Sequence, residues 1–266
     1  MKMMLRSLAI AAVALTLPLA AQAETPEEKG LRIATEAKAA DAGFGDYDAN
    51  GEMTLRNKSG KESIRGFSSK TLEQPGDGDK SLMVFKRPRD IKGTALLTHA
   101  HKAKNDDQWL YLPAMKRVKR ISSSNRSGSF VGSEFSYEDL SSPEVEKYTY
   151  KYLKEEPCPT DAALTCHVSE RYPTDKTSGY KKNILWLETK TYRVVKIDYF
   201  DRKDAFLKTL TQTEYNVYKD KHWRPHLMEM VNHQTGKSTT MKWSDFKFGV
   251  GLSEGNFQPN RLKSVR

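Results

Sequence analysis

Hydrophobic and polar residues alternate along most of the chain between Asp46 and Phe248. This alternation is typical of β-strands with one buried face, and the connectors between them, such as residues 188–191, are short and polar. Short connectors favour antiparallel neighbours in a meander. Because twist accumulates over about eleven strands, we expect the sheet to curl into an incomplete, half-closed β-barrel. The pattern therefore predicts a mainly β (α+β) fold.

Residues 25–42 have the spacing of an amphipathic helix instead. Thr25 is a candidate N-cap, Pro26 suits the first helical position, and Glu28 completes a capping box. Gly43 or Gly45 is expected to end the helix. Its apolar face is small and rich in alanine, so the helix can lie close to a sheet without adding a large core.

Residues 106–140 combine several unusual features. An aromatic strand at residues 108–112 contains Trp109 and Tyr111, and Pro113 then turns the chain into a basic run, residues 116–120. A loop rich in glycine and serine follows. It leads into residues 133–140, where Ser133 is a candidate cap for one helical turn. The basic run is either a specific contact surface or simply a solvated face.

The interior of the curled sheet is predicted to be either a filled core or a cavity. The chain contains nine methionines, which suit an adaptable apolar surface but are also common core fillers. Composition alone favours a filled core.

The first 23 residues resemble a secretory signal peptide. Lys2 and Arg6 precede an apolar stretch too short to span a bilayer, and Ala21 and Ala23 form a small-x-small cleavage site. No cysteine lies nearby to carry a lipid anchor. We expect residues 24–266 to form a single domain, soluble and periplasmic. The whole chain has a formal charge of +10, which is compatible with anionic lipids or an acidic partner, whereas export makes nucleic acid an unsuitable target.

Cys158 and Cys166 are the chain's two cysteines. In an oxidising compartment we expect them to form a structural disulfide at the end of a hairpin, because redox-active pairs usually have two intervening residues. The histidines, including His99 with His101 and His222 with His226, lack companions that would complete a metal site. No nucleotide loop or nucleophile elbow is present. We therefore predict no cofactor, no bound metal and no enzymatic activity.

Several residues match a motif of a known family. The matching residues are Asp107, Trp109, Tyr111, Pro113, Arg117, Arg120, Ile121, Ser127, Ser129, Phe130, Gly132, Ser133, Phe135, Ser136, Tyr137, Asp139 and Leu140. In these residues the chain resembles the outer membrane lipoprotein-sorting proteins, relatives of the LolA/LolB-like carriers, in the branch associated with inner-membrane transporters of the RND and MMPL types. The cysteine pair, Trp186, Tyr192 and residues 199–201 and 232–239 follow the same pattern.

The resemblance implies an incomplete antiparallel barrel around helices, with an apolar cavity for acyl chains, which reverses the preference drawn from composition. Residues 25–42 and 133–140 are then the candidate lid or plug. The candidate cargo-binding residues, each with core packing as its alternative, are Trp109, Tyr111, Phe130, Phe135, Trp186 and Tyr199. The candidates for contact with lipid head groups or a partner are Lys116, Arg117, Lys119 and Arg120. Arg117 and Arg120 could instead pair with Asp107 or Asp139.

Two functions follow from these features. The first is a monomeric periplasmic carrier of a lipid, a fatty acid or lipoprotein acyl chains. It would exchange this cargo with an RND/MMPL-type transporter or the outer membrane through transient membrane contact. The second is an interaction or sensor module of an envelope response that binds a protein or lipoprotein, with its concavity filled.

Overall fold

A computed structural model describes residues 23–265. The leader peptide expected from the sequence, apart from Ala23, lies outside the described residues. The described residues form helix α1 (Pro26–Asp41) and short 3₁₀ turns. The strands are β1 (Asp46–Arg56), β2 (Glu62–Leu72), β3 (Lys80–Arg87), β4 (Ala95–His99), β5 (Asp107–Leu112), β6 (Arg117–Ile121), β7 (Tyr148–Cys158), β8 (Asp161–Pro173), β9 (Tyr180–Glu188), β10 (Val194–Asp201), β11 (Phe206–Tyr218), β12 (His222–Asn232) and β13 (Ser238–Phe248). The 3₁₀ turns are Pro113–Met115, Ser123–Asn125, Glu138–Leu140, Val145–Lys147, Glu254–Phe257 and Pro259–Ser264.

All strands join one antiparallel sheet of 13 strands, in the order β6-β5-β4-β3-β2-β1-β13-β12-β11-β10-β9-β8-β7. The sheet is open, with β6 and β7 at its two edges. The expected antiparallel, incompletely closed architecture is confirmed. The basic run after Pro113, for which no strand was predicted, forms edge strand β6, and its charged side chains protect this edge from pairing with another chain.

Residues 122–147, here called the crossing segment, connect the two edge strands across one face of the sheet. The Phe130 ring stacks on Phe85 of β3, with 5.7 Å between ring centroids. Four residues later, the carbonyl oxygen of Glu134 accepts a hydrogen bond of 2.9 Å from Lys208 of β11. β3 and β11 are far apart in the strand order, so contact with one short segment requires a curled sheet. The face that carries the crossing segment is called the inner face below.

Helix α1 also lies on the inner face, where it packs against β7. Thr25 and Glu28 form the predicted capping box. A Cβ atom on Gly30 would lie 2.9 Å from the backbone nitrogen of Tyr152, so glycine permits this close approach. The helix ends at Asp41, before the glycines expected to stop it. None of the helices in residues 23–265 combines the length and apolar character needed to cross a membrane.

Both faces of the sheet carry buried apolar clusters. The inner cluster includes Ile33, Phe85, Phe130, Phe135 and Leu185. On the outer face, the C-terminal 3₁₀ turns place Phe257 and Leu262 over β3 and β4. A second outer cluster surrounds the cysteines. Because both faces are partly covered, apolar alternation by itself does not identify the inner face.

The predicted disulfide between Cys158 and Cys166 is confirmed, with a Cα–Cα distance of 5.0 Å. The segment between the two cysteines is mostly strand and contains only a short turn. β7 extends to Cys158 and β8 begins at Asp161, so strand pairing continues almost to the tip of the hairpin. The bond therefore joins strands that are already paired.

Candidate functional site

A cavity of about 510 Å³ lies between helix α1, the crossing segment and the inner face of strands β7 to β12. Ile33 and Ala37 of the helix face Leu185 and Leu187 of β9 across this cavity. Ile197 and Leu210 continue the apolar wall. The volume lies within the usual range of pockets that hold small molecules.

The remaining lining of the cavity is aromatic and polar. Seven tyrosines contribute to it: Tyr47, Tyr148, Tyr150, Tyr180, Tyr192, Tyr199 and Tyr215. Burial raises the pKa of Tyr180 and of Tyr199 well above the ordinary value, so both hydroxyls stay protonated. The cavity is therefore amphipathic, with an apolar wall and a set of neutral hydrogen-bonding groups.

Three arginines line the same cavity and differ in their partners. Arg224 pairs with Asp41 at the end of the helix, at 2.6 Å. Arg193 has a nitrogen 4.0 Å from a carboxylate oxygen of Glu188. Arg171 has no ion-pair partner within residues 23–265. Its Nε donates a hydrogen bond of 3.0 Å to Asn183 Oδ1, and its guanidinium carbon lies 4.5 Å from the centroid of the Tyr148 ring.

Two ion pairs hold the crossing segment in place beside the cavity. Lys38 of helix α1 bonds the buried carboxylate of Glu144 at 3.0 Å. Lys208 of β11 bonds Asp139 at 2.6 Å, and both of these side chains are buried. The first pair connects the segment to the helix and the second connects it to the sheet.

A second cavity, of about 540 Å³, lies next to the crossing segment. Glu138 of the segment and Tyr148 of β7 line both cavities. Its walls are mainly charged and contain the ion pairs of Lys147 with Asp106 and Arg126 with Asp175. The crossing segment thus lines both an amphipathic cavity and a polar one.

The predicted cargo-binding residues separate into three groups. Tyr199 lines the amphipathic cavity. Phe130 and Phe135 are 0% and 1% exposed and belong to the inner core. This part of the inner face is filled by the crossing segment, while the part under helix α1 is open. A filled core and a cavity therefore coexist on the same face.

Trp109, Tyr111 and Trp186 lie on the outer face, away from the cavity. In β9, Leu185 and Leu187 point inward, so the residue between them must point outward. There the Trp186 indole nitrogen donates a hydrogen bond of 2.7 Å to Glu156. Trp109 and Tyr111 pack in the cluster that contains Phe257 and Leu262. The sequence motif contains these aromatics, but the structure uses them to cover the outside of the sheet.

The four basic candidates Lys116, Arg117, Lys119 and Arg120 are exposed at edge strand β6. Arg120 pairs with Asp107, as one alternative predicted, although the Arg120 side chain remains 69% exposed. Asp139, the other expected partner, bonds Lys208 instead. The four residues form a basic rim that lies apart from the cavity lining.

The sequence interpretation missed most of the cavity lining, including Arg171. One signal was available, because Tyr148 and Tyr150, which line the cavity, alternate with polar residues along β7. Ser133, expected as a helix cap, is buried and donates to the carbonyl oxygen of Phe135; the turn it was expected to cap begins only at Glu138. Residues 23–265 contain no cluster of three or more histidine, cysteine or acidic side chains suited to a metal ion.

Comparisons with known proteins agree with this architecture. No curated protein matches the sequence. A family model described as that of an uncharacterized protein matches residues 77–264. The crystal structure of an outer membrane lipoprotein-sorting protein domain from Vibrio parahaemolyticus is 54% identical, with a TM-score of 0.86, covering 89% of this chain and 99% of that chain.

Two more distant structures share the fold. A DUF1329 family protein from Desulfovibrio piger is 29% identical, with a TM-score of 0.83, covering 90% of this chain and 99% of that chain. A LolA superfamily protein from Nitrosomonas europaea is 18% identical, with a TM-score of 0.68, covering 86% and 97%. With more than half of its sequence shared over nearly its whole length with the Vibrio domain, the chain belongs to the outer membrane lipoprotein-sorting protein family.

Proposed function

We propose that this protein is a soluble periplasmic carrier that holds the hydrophobic part of a lipid, fatty acid or lipoprotein in the cavity under helix α1. The observation that carries the proposal is the cavity of about 510 Å³ on the inner face of an open sheet. The name of the Vibrio relative, a lipoprotein-sorting domain, is consistent with it. None of the three similar proteins is described as an enzyme, which points to a role in binding.

The physical basis is the cost of exposing an aliphatic chain to water, about 0.8 kcal/mol for each CH₂ group. A carrier must therefore offer an apolar wall, which Leu185, Leu187, Ile197 and Leu210 supply here. It must also let the cargo in and out. Helix α1 covers the cavity with small side chains such as Ala34 and Ala37, so a limited displacement of this helix would expose the wall.

We further propose that the carrier exchanges its cargo with an inner-membrane transporter of the RND or MMPL type, or with the outer membrane. The family resemblance and the basic rim support this step, because exposed lysines and arginines attract anionic lipid head groups and acidic protein surfaces. The protein is expected to act as a monomer.

Filling the cavity tests the proposal. The Ala37→Trp substitution places an indole ring in the cavity, so the affinity of delipidated protein for palmitate should fall by roughly tenfold or more. Ala39→Trp is the matched control, because Ala39 is exposed on the same helix and does not line the cavity. Equal palmitate binding by both variants and the wild type, with equal thermal stability, would place any binding site elsewhere.

A further inference from the structure

Arg171 is the one arginine of the cavity, in the described part of the chain, that lacks a carboxylate within 4.0 Å. It lies on β8 between Tyr150 of β7 and Asn183 of β9, and its side chain faces the cavity. Only its Nε has a hydrogen-bond acceptor within residues 23–265, Asn183 Oδ1 at 3.0 Å. A guanidinium has five N–H donors, so the four N–H groups on the two terminal nitrogens remain available to a ligand.

An enclosed cation without a counterion is costly, because burial removes part of its hydration. The other cavity arginines avoid this cost through Asp41 and Glu188. The nearby Asp139 does not neutralise Arg171, because it bonds Lys208 at 2.6 Å. Glu138 accepts hydrogen bonds from Ser178 and Gly179. The surroundings of Arg171 therefore retain a positive charge that no protein group in residues 23–265 pairs with directly.

Two tyrosine hydroxyls add hydrogen-bond donors to the end of the cavity that contains Arg171. Tyr148 lies under the Arg171 guanidinium, and Tyr199 is 3% exposed. Neither hydroxyl has a hydrogen-bond partner within the described residues, whereas Tyr150 donates to Val145 and Tyr180 to Asp139. Both remain protonated, since burial raises the pKa of each. Arg171, Tyr148 and Tyr199 together present N–H and O–H donors that have no acceptor within residues 23–265.

The cavity wall becomes apolar two residues beyond Asn183 along β9. Asn183, Leu185 and Leu187 share the inner face, so the wall changes from polar to apolar over about 13 Å. Ile33 and Ala37 of helix α1 face this apolar part. A charged end and an apolar wall within one cavity match a molecule with a charged head and an aliphatic tail.

We infer that Arg171 binds the carboxylate of a single-chain amphiphile whose aliphatic tail lies along Leu185 and Leu187. An arginine fork matches a carboxylate through two parallel N–H to oxygen bonds. Residues 23–265 place no second unpaired cation beside this guanidinium, since Lys208 pairs with Asp139, so the site suits a monoanion better than a doubly charged phosphate. The inference deepens the proposed carrier function and rests on it, because it concerns the same cavity.

The test compares palmitate with hexadecanol, which have the same chain and differ in the head group. Delipidated wild-type protein should bind palmitate roughly tenfold to hundredfold more tightly than hexadecanol. Arg171→Gln should remove most of this preference and leave hexadecanol binding unchanged. Lys182→Gln is the charge-matched control, since Lys182 pairs with Glu170 on the outer face at 2.9 Å.

Tyr199→Phe is a second variant that leaves the charge in place and tests the site even if Arg171→Gln fails to fold. It should weaken palmitate binding several-fold without affecting hexadecanol. Equal binding of palmitate and hexadecanol by the wild type would overturn the inference while leaving the carrier proposal intact. Binding of neither would overturn the inference, and the carrier proposal would fall with it if a phospholipid and a lipopeptide also failed to bind. An Arg171-dependent preference for a single-chain phosphate over palmitate would overturn the assignment to a carboxylate.

Discussion

The buried pair of Lys208 and Asp139 is the residue-scale contact that joins the crossing segment to β11. Asp139 also accepts hydrogen bonds from the Tyr180 hydroxyl and the Ser136 backbone, at 2.7 Å each. Removing one partner of a buried ion pair leaves an uncompensated charge, whereas an exposed pair contributes little. The two kinds of pair in this protein should therefore respond very differently to mutation.

We predict that Asp139→Asn lowers the free energy of unfolding by about 3–5 kcal/mol, because it leaves Lys208 buried without a counterion. Glu62→Gln is the control, because Glu62 pairs with Arg56 at the surface, where the Glu62 side chain is 41% exposed and the Arg56 side chain 56% exposed. It should cost less than about 1 kcal/mol. Urea denaturation of both variants measures the difference. Equal costs would show that the buried pair does not hold the segment.

At the scale of elements, helix α1 and the crossing segment cover the cavity and are joined by Lys38 and Glu144. Burial raises the pKa of the Glu144 carboxyl, and the bond from Lys38 only partly opposes this. The folded protein therefore binds this proton more tightly than the unfolded chain does. The contribution of Glu144 to stability falls as pH rises from the ordinary pKa of a glutamate through the raised one.

We predict that Glu144→Gln gains stability relative to the wild type as pH rises through this window. Glu188→Gln should instead lose stability relative to the wild type as pH rises from the lowered pKa of Glu188 to the ordinary pKa of a glutamate. Although burial acts to raise the pKa of Glu188, hydrogen bonds from Thr191 and the Lys190 backbone lower it overall. Chemical denaturation of each variant across its own pH window measures the two trends. Parallel trends in the two variants would contradict the assigned directions.

Local chemistry made some elements predictable. Thr25, Pro26 and Glu28 identified the start of helix α1, because capping depends on residues close in sequence. The disulfide was predictable from its spacing and compartment. Edge strand β6 was missed because its charged residues have no periodic apolar face and gain their strand conformation from pairing with β5.

The inner and outer faces were less predictable, since they depend on packing between distant segments. Trp109 and Tyr111 alternate correctly, but only the position of Phe257 and Leu262 shows that their side of the sheet is the outer one. A bulge at Val195 has a similar effect: register shifts there, so Val195 packs with the outer cysteine cluster while Ile197 lines the cavity. Arg171 differs from the other cavity arginines in having no ion-pair partner within residues 23–265, and sequence does not reveal such pairing.

The whole molecule has two distinct regions that the carrier proposal assigns to different steps. The amphipathic cavity lies under helix α1, and the basic rim lies at edge strand β6. Cargo binding and delivery should therefore be separable by mutation. Because the rim side chains are exposed, reversing their charge should not disturb the fold.

We predict that Arg117→Glu with Lys119→Glu weakens association with anionic vesicles, or cargo transfer to them, and leaves palmitate affinity and thermal stability unchanged. Lys242→Glu with Lys247→Glu is the control, since it makes the same charge change at exposed positions of β13. Vesicle co-sedimentation at low and moderate salt measures the effect. Equal loss in both variants would show that net charge, not the rim, governs membrane contact.

The central claim is that the cavity holds an aliphatic cargo, and native mass spectrometry of the purified protein with lipid extraction tests it most directly. The carrier account predicts a bound lipid or acyl compound. It also predicts that delipidated protein binds again when offered a fatty acid, a phospholipid or a lipopeptide. Protein that carries no such compound, and that binds none of the three after delipidation, would contradict the account and favour an interaction module.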